Sequence, residues 1–155
     1  MKQQINMIGG GFQHSVSTND MEPKYIEWVK NGTAPISIHI DNGLLIQTNP
    51  NTINYGWLCE SKTIIPSYYV WCERNLDFLK TNFIKVFTHD FELSKKSDIF
   101  QLTQCSAKSY FNHGEIYPKS KLVSMIASNK KMCSEHFFRQ KMIEKFSGKC
   151  DHFGR

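Results

Sequence analysis

The sequence predicts an α/β fold built on a parallel sheet, on three observations. Short apolar runs alternate with helix-like stretches along most of the chain, the pattern that gives parallel strands with covering helices. Hydrophobic residues make up 40% of the chain and aromatics 13%, enough to cover a packed core. A fresh strand–helix–strand pattern opens at Lys119, where a one-domain chain of 155 residues should be finishing. Two domains are therefore expected, 1–118 and 119–155.

The elements follow in order. Gln4 to Ile8 reads as a first strand, ended by Gly9, Gly10 and Gly11. Pro23 to Lys30 suggests a short helix with Tyr25, Trp28 and Val29 inward, closed by Asn31 and Gly32. Ile36 to Ile40 alternates Ile36, Ile38 and Ile40 with Ser37 and His39, a half-buried strand by its period of two. Asp41-Asn42-Gly43 is turn chemistry, with Leu44 to Gln47 expected to return as a hairpin. Tyr55 to Cys59 is the next strand. Pro66 starts a helix that carries Val70, Leu76 and Leu79. Phe83 to Thr88 is a strand, followed by His89-Asp90 and a helix-like Phe91 to Lys96, while Ser97 to Tyr117 has no clear signal. Lys121 to Ala127 is a near-continuous apolar strand. Ser134 is the expected N-cap of a helix over Glu135 to Ser147, with Phe138, Met142, Ile143 and Phe146 at helical spacing, before Gly148 and a strand from Cys150 to Phe153.

Nineteen Lys and Arg against fourteen Asp and Glu leave a net charge of +5, scattered as on a solvated basic surface. No RNP-like, helix-turn-helix or zinc pattern and no dense basic stripe points to nucleic acid. The five cysteines form no C-x-x-C pair and read as reduced, mostly buried thiols. The opening MKQQINMIGGG lacks the apolar run of a signal peptide, and no stretch has the length of a membrane span, so a cytoplasmic location is expected. Gly9-Gly10-Gly11 lacks G-x-G-x-x-G because His14 fills the last position, which favours a plain turn over a nucleotide loop. His89 and Asp90 at a strand end read as loop caps, since no further ligand is spaced to complete a metal site. No catalytic metal and no cofactor is expected.

The stretch KSKLVSMIASNKKMCSEHFFRQKMIEKFSGKCDHFGR has a strand ending in Ser-Asn, a loop, a helix bearing Arg139, and a strand ending in Asp151, an aromatic and Gly-Arg. It resembles the opening of the donor-binding domain of the α1,3-fucosyltransferases, glycosyltransferase family 10. Upstream, YGWLCESKTIIP and FIKVFTHDFEL resemble that family's acceptor-side domain, with lower identity but in the same order. Together the matches run from Tyr55 to Arg155, with the first 50 residues unassigned.

The resemblance implies a Rossmann-like acceptor-side domain over 1–118 and the first β-α-β of the donor domain over 119–155, within a two-domain GT-B enzyme. The implied activity is inverting transfer of a sugar from a GDP-sugar donor to an acceptor glycan hydroxyl. Inversion by direct displacement needs a base for the acceptor proton, and Glu60, at the carboxyl end of a strand, is the candidate. Read alone, Glu60 is better explained as a surface residue at a loop start, paired with Lys62, and the resemblance brings the two readings level. Arg139 matches the family's diphosphate-contacting Arg; read alone it pairs with Glu135 or Glu144 along its helix. Ser128, Asn129 and Lys130 lie in the strand-to-helix loop where phosphate contacts gather, or are merely polar loop, and His14 is a candidate for the acceptor cleft. The family's later Glu-Asn and Glu-Lys segments have no counterpart before Arg155. A truncated chain, inactive alone, is thus expected, self-associating or completed by a partner chain. The alternative is a non-catalytic carbohydrate-binding or interaction module derived from that fold.

Overall fold

The structure, a computed structural model, describes residues 1–9, 24–30, 32–103, 118, 120 and 122–154. His14, Gly10, Gly11, Cys105, Arg155 and most of the stretch from Ser97 to Tyr117 lie outside the described residues. The chain divides into two compact units, Met1–Lys108 and Ser109–Arg155.

The first unit is a six-stranded sheet in the order β2-β1-β3-β4-β5-β6, every neighbouring pair parallel. Its strands are β1 (Gln3–Ile8), β2 (Ile26–Lys30), β3 (Ile36–Ile40), β4 (Ile53–Leu58), β5 (Val86–Thr88) and β6 (Phe100–Leu102). With its flanking helices it forms a Rossmann-like α/β layer. The helices are α1 (Pro66–Arg74), α2 (Leu76–Asn82) and α3 (Phe91–Ser94). Pro66 opens α1 at the first helical turn, where its missing N–H costs nothing. Asn75 divides what reads as one helix into two, closing α1 and capping α2. On α1 the buried residues are Tyr69 and Cys72, while Val70 faces water.

The core joins Leu44, Leu58, Val86 and Phe100 from the sheet side to Tyr69, Cys72, Leu79 and Leu93 from the helices. Burial pushes the Cys72 thiol up to about 12, so this cysteine is an inert packing group. Cys59, Cys133 and Cys150 are only partly buried, so one of the four described cysteines meets the expectation of burial, and none of the four is in a disulfide.

Three local expectations are overturned. Residues 26–30 form the edge strand β2, paired along β1 from Gln3↔Ile26 to Met7↔Lys30, where a helix was expected. Asp41–Leu45 is a turn of 3-10 helix, and the chain continues to β4 as a parallel neighbour of β3, which rules out a hairpin. On β3 the two polar residues are buried along with Ile40. Ser37 and His39 are sealed while Ile36 and Ile38 remain partly open, because a central parallel strand is covered on both faces. His39 is accommodated by Nδ1 at 2.9 Å from the Gly43 carbonyl oxygen, Nε2 at 3.2 Å from Asn54 Oδ1, and an edge contact with Phe83.

The second unit holds a parallel pair, β7 (Ser124–Ile126) and β8 (Asp151–Phe153), joined by α4 (Ser134–Lys145), the expected strand–helix–strand. The N-cap is Cys133, not Ser134, which is already helical, and no side chain caps the end. No α4 residue is fully buried. Phe138 and Phe146, two of the apolar residues at helical spacing, are exposed, as are Leu122, Val123, Ile126 and Phe153. No described helix is long and apolar enough to cross a membrane.

Candidate functional site

Strand order fixes where a ligand site belongs in the first unit. β1 leads outward to β2, and the chain then crosses back to β3 on the other side of β1, so the order reverses between β1 and β3. Open α/β sheets bind ligands beyond the carboxyl ends of their strands at such a reversal. Following β1, β3, β4 and β5, that edge carries Gly9, Asp41, Cys59-Glu60 and His89-Asp90.

Asp41 is the least ordinary of these residues. It is 5% exposed and has φ +47, the one non-glycine residue with positive φ among those described. Its Oδ1 accepts the Cys59 N–H at 2.8 Å and the Glu60 N–H at 3.3 Å. Burial pushes its carboxyl above the ordinary 3.8, and the Glu60 charge adds to the rise. The two amide donors and the His89 charge oppose it. A carboxyl raised on folding holds its proton more tightly in the native state. Its contribution to stability is therefore full below 3.8 and is lost as pH rises through the raised value. Asp41→Asn abolishes that titration. The thermal midpoint of the variant, relative to the unsubstituted protein, should thus climb as pH rises from 3.8 through the raised value.

Glu60 is exposed, two residues past the end of β4. Besides the N–H given to Asp41, its carbonyl accepts the Tyr69 hydroxyl at 2.8 Å, from α1. Tyr69 is fully buried, and that burial pushes its phenol up to about 12, so it remains a donor across the physiological range. Among the described residues the Glu60 carboxylate has no hydrogen-bond or ion-pair partner. The pairing with Lys62 is replaced by Lys62–Glu73 at 3.6 Å, and Glu73 also holds Lys96 at 2.9 Å.

At the end of β5, Asp90 caps α3 by accepting the Leu93 N–H at 2.7 Å, while its own N–H reaches Thr88 Oγ1. His89 Nδ1 is buried with no partner among the described residues. No three His, Cys, Asp or Glu side chains among the described residues come together to hold a metal ion.

In the second unit, Ser128, Asn129 and Lys130 follow β7 at the carboxyl end of its sheet, with Asn129 and Lys130 exposed. The Ser128 carbonyl accepts Gln140 Nε2 at 2.7 Å, tying this loop to α4 beside Arg139. Arg139 is partly buried. Among the described residues it pairs with neither Glu135 nor Glu144, and its Nε is buried with no hydrogen-bond partner. Glu135 occupies the first turn of α4. Its own backbone N–H, the Cys133 thiol and the Ser134 hydroxyl hold its carboxyl below the ordinary 4.5. Glu60 and Arg139 belong to different units.

Sequence reasoning missed Asp41 and Tyr69. A signal existed for the first: an Asp directly after a strand and before Asn-Gly is a residue that tolerates the left-handed region. Nothing in the sequence marks Tyr69 as the partner of Glu60. Comparison of the chain with protein-family models, with curated proteins and with solved structures finds no match.

Proposed function

We propose that this chain carries the acceptor-side unit and the opening of the donor side of an inverting, fucosyltransferase-like glycosyltransferase. The observation that best supports this reading is Glu60: its backbone is tethered at both the N–H and the C=O, yet its carboxylate, at the carboxyl edge of a parallel sheet, is unpaired among the described residues. A general base needs this combination of fixed placement and a free acceptor.

In the proposed reaction the acceptor hydroxyl oxygen forms its bond to the anomeric carbon of the GDP-sugar as Glu60 takes the hydroxyl proton. The bond from that carbon to the diphosphate oxygen breaks on the opposite face, and GDP departs with the electron pair. Arg139 meets the charge that develops on the diphosphate, with Ser128, Asn129 and Lys130 as further donor-side contacts. The Arg139 Nε, without a hydrogen-bond partner among the described residues, supports that role. The exposed apolar side chains of the second unit support the further expectation of self-association, or of a partner chain that completes the donor site.

Titration calorimetry with GDP tests the donor side. Saturable binding that Arg139→Ala weakens by about 1.5–3 kcal/mol, the scale of a hydrogen bond to a charged group, is the expected result. Absence of binding at millimolar GDP removes the donor role and leaves an acceptor-binding module.

A further inference from the structure

Glu60 lies beyond the last ladder pair of β4, Leu58↔Thr88, so the sheet no longer fixes its backbone. Three hydrogen bonds take over. Two converge on a single oxygen, Asp41 Oδ1, from the N–H groups of Cys59 and Glu60; the third runs from the Tyr69 hydroxyl to the Glu60 carbonyl. Asp41 comes from the neighbouring strand β3, immediately after its last residue.

Two costs meet at Asp41. A non-glycine residue is held at φ +47, and a carboxyl is taken out of water. Left-handed backbone of this kind persists where the surroundings over-determine it, and it gathers at functional sites. What both costs secure here is one result, a carboxylate oxygen under the two amides that lead into Glu60. The other charged and titratable groups acting on this position are Glu60 from the end of β4 and His89 from the end of β5, with Tyr69 on α1 nearby.

We infer that Asp41 is a positioning residue: by holding the Cys59 and Glu60 amides it sets where the Glu60 carboxylate stands at the sheet edge. In its catalytic consequence this inference rests on the reading of Glu60 as the base. Its mechanical part, the hold on two amides, stands apart from that reading. An oxygen acceptor of the right length is the requirement. Asn should serve at this position, and Gly, which relaxes the backbone but offers no acceptor, should not.

The test compares Asp41→Gly, Asp41→Asn and Glu60→Gln in the full chain. Two readouts are taken: hydrogen exchange of individual amides by NMR in the chain itself, and, with the donor side completed, kcat and KM for transfer from a GDP-sugar to a glycan acceptor. In Asp41→Gly the Cys59 and Glu60 amides are expected to exchange at least about tenfold faster while the β4 amides before them hold. A displaced base lowers kcat about 10- to 100-fold with KM within about twofold. Asp41→Asn is expected to recover both quantities. Unchanged exchange at the two amides in Asp41→Gly overturns the inference, as does a loss of kcat that Asn fails to recover. If Glu60→Gln transfers as fast as the unsubstituted chain, the base assignment falls instead. The exchange rates then still decide whether Asp41 holds the segment.

Discussion

Once the donor side is completed, replacing Glu60 with glutamine is expected to lower the rate of sugar transfer by about 10²- to 10⁴-fold, the range a positioned general base contributes. The substitution keeps size and shape and removes only the proton-accepting charge. Both tethers of Glu60, the N–H to Asp41 and the C=O from Tyr69, are backbone groups and survive it. The fold should therefore be untouched, with a change in stability within about 0.5 kcal/mol, as for exposed positions in general. GDP affinity should also be unchanged, since the proposed diphosphate contact, Arg139, belongs to the other unit. A fall in kcat alone, with stability and GDP binding constant, is the signature of a lost base. A variant as active as the unsubstituted chain transfers the role elsewhere on the same edge, where Asp41 and His89 stand. A chain that binds acceptor glycan but transfers nothing even with the donor side completed, with or without the substitution, is a binding module.

The class of fold was legible because it depends on the alternation of apolar runs with helix-like stretches, and four of the six strands in the first unit and both in the second lie within or beside such runs. Of the two that failed, β6 lies in the stretch without a clear signal, and β2 shows why short segments mislead. Tyr25, Trp28 and Val29 have helical spacing, but Ile26, Trp28 and Lys30 also alternate with Glu27 and Val29. Five residues cannot separate the two periods, and pairing along the whole of β1 decides for the strand. The hairpin expected after β3 failed for a related reason. Asp-Asn-Gly favours tight turns, yet a parallel neighbour demands a crossover, and residues 41–52 supply it. The edge that carries Glu60 could be located from sequence, because strand ends could. The contacts that hold Glu60 could not. Asp41 Oδ1 and the Tyr69 hydroxyl reach it from a different strand and a helix, across sequence separations that no local pattern encodes.

The triple glycine illustrates the same limit, and its first residue carries the largest expected effect on stability. Gly9→Ala should destabilise the first unit by roughly 3 to 5 kcal/mol, combining strained backbone with a steric clash. The backbone term arises from φ +120, a region that residues with a Cβ rarely enter. The clash arises because a Cβ at Gly9 would collide with the Ile40 carbonyl oxygen and crowd Gly43 N at 3.1 Å. Gly43 faces the same crossing from the other side, where a Cβ would collide with the Ile8 carbonyl oxygen. Both obstacles are backbone of central strands and cannot swing aside as a flexible side chain would. The two glycines thus let the ends of β1 and β3 pass in contact at the point where strand order reverses, immediately beside Asp41. As a reader of nucleotide phosphates the glycine run lacks its motif, and the role of Gly9 is this close passage. A loss of that size consumes much of the 5–15 kcal/mol typical of a whole domain, so urea unfolding should show a midpoint far below that of the unsubstituted chain. Gly43→Ala should lose a comparable amount. The double variant should lose less than the sum of the two, because both changes strain one crossing and a single displacement of β1 from β3 relieves them together. Additive losses would mean that the two glycines act independently and that the crossing is not the shared constraint.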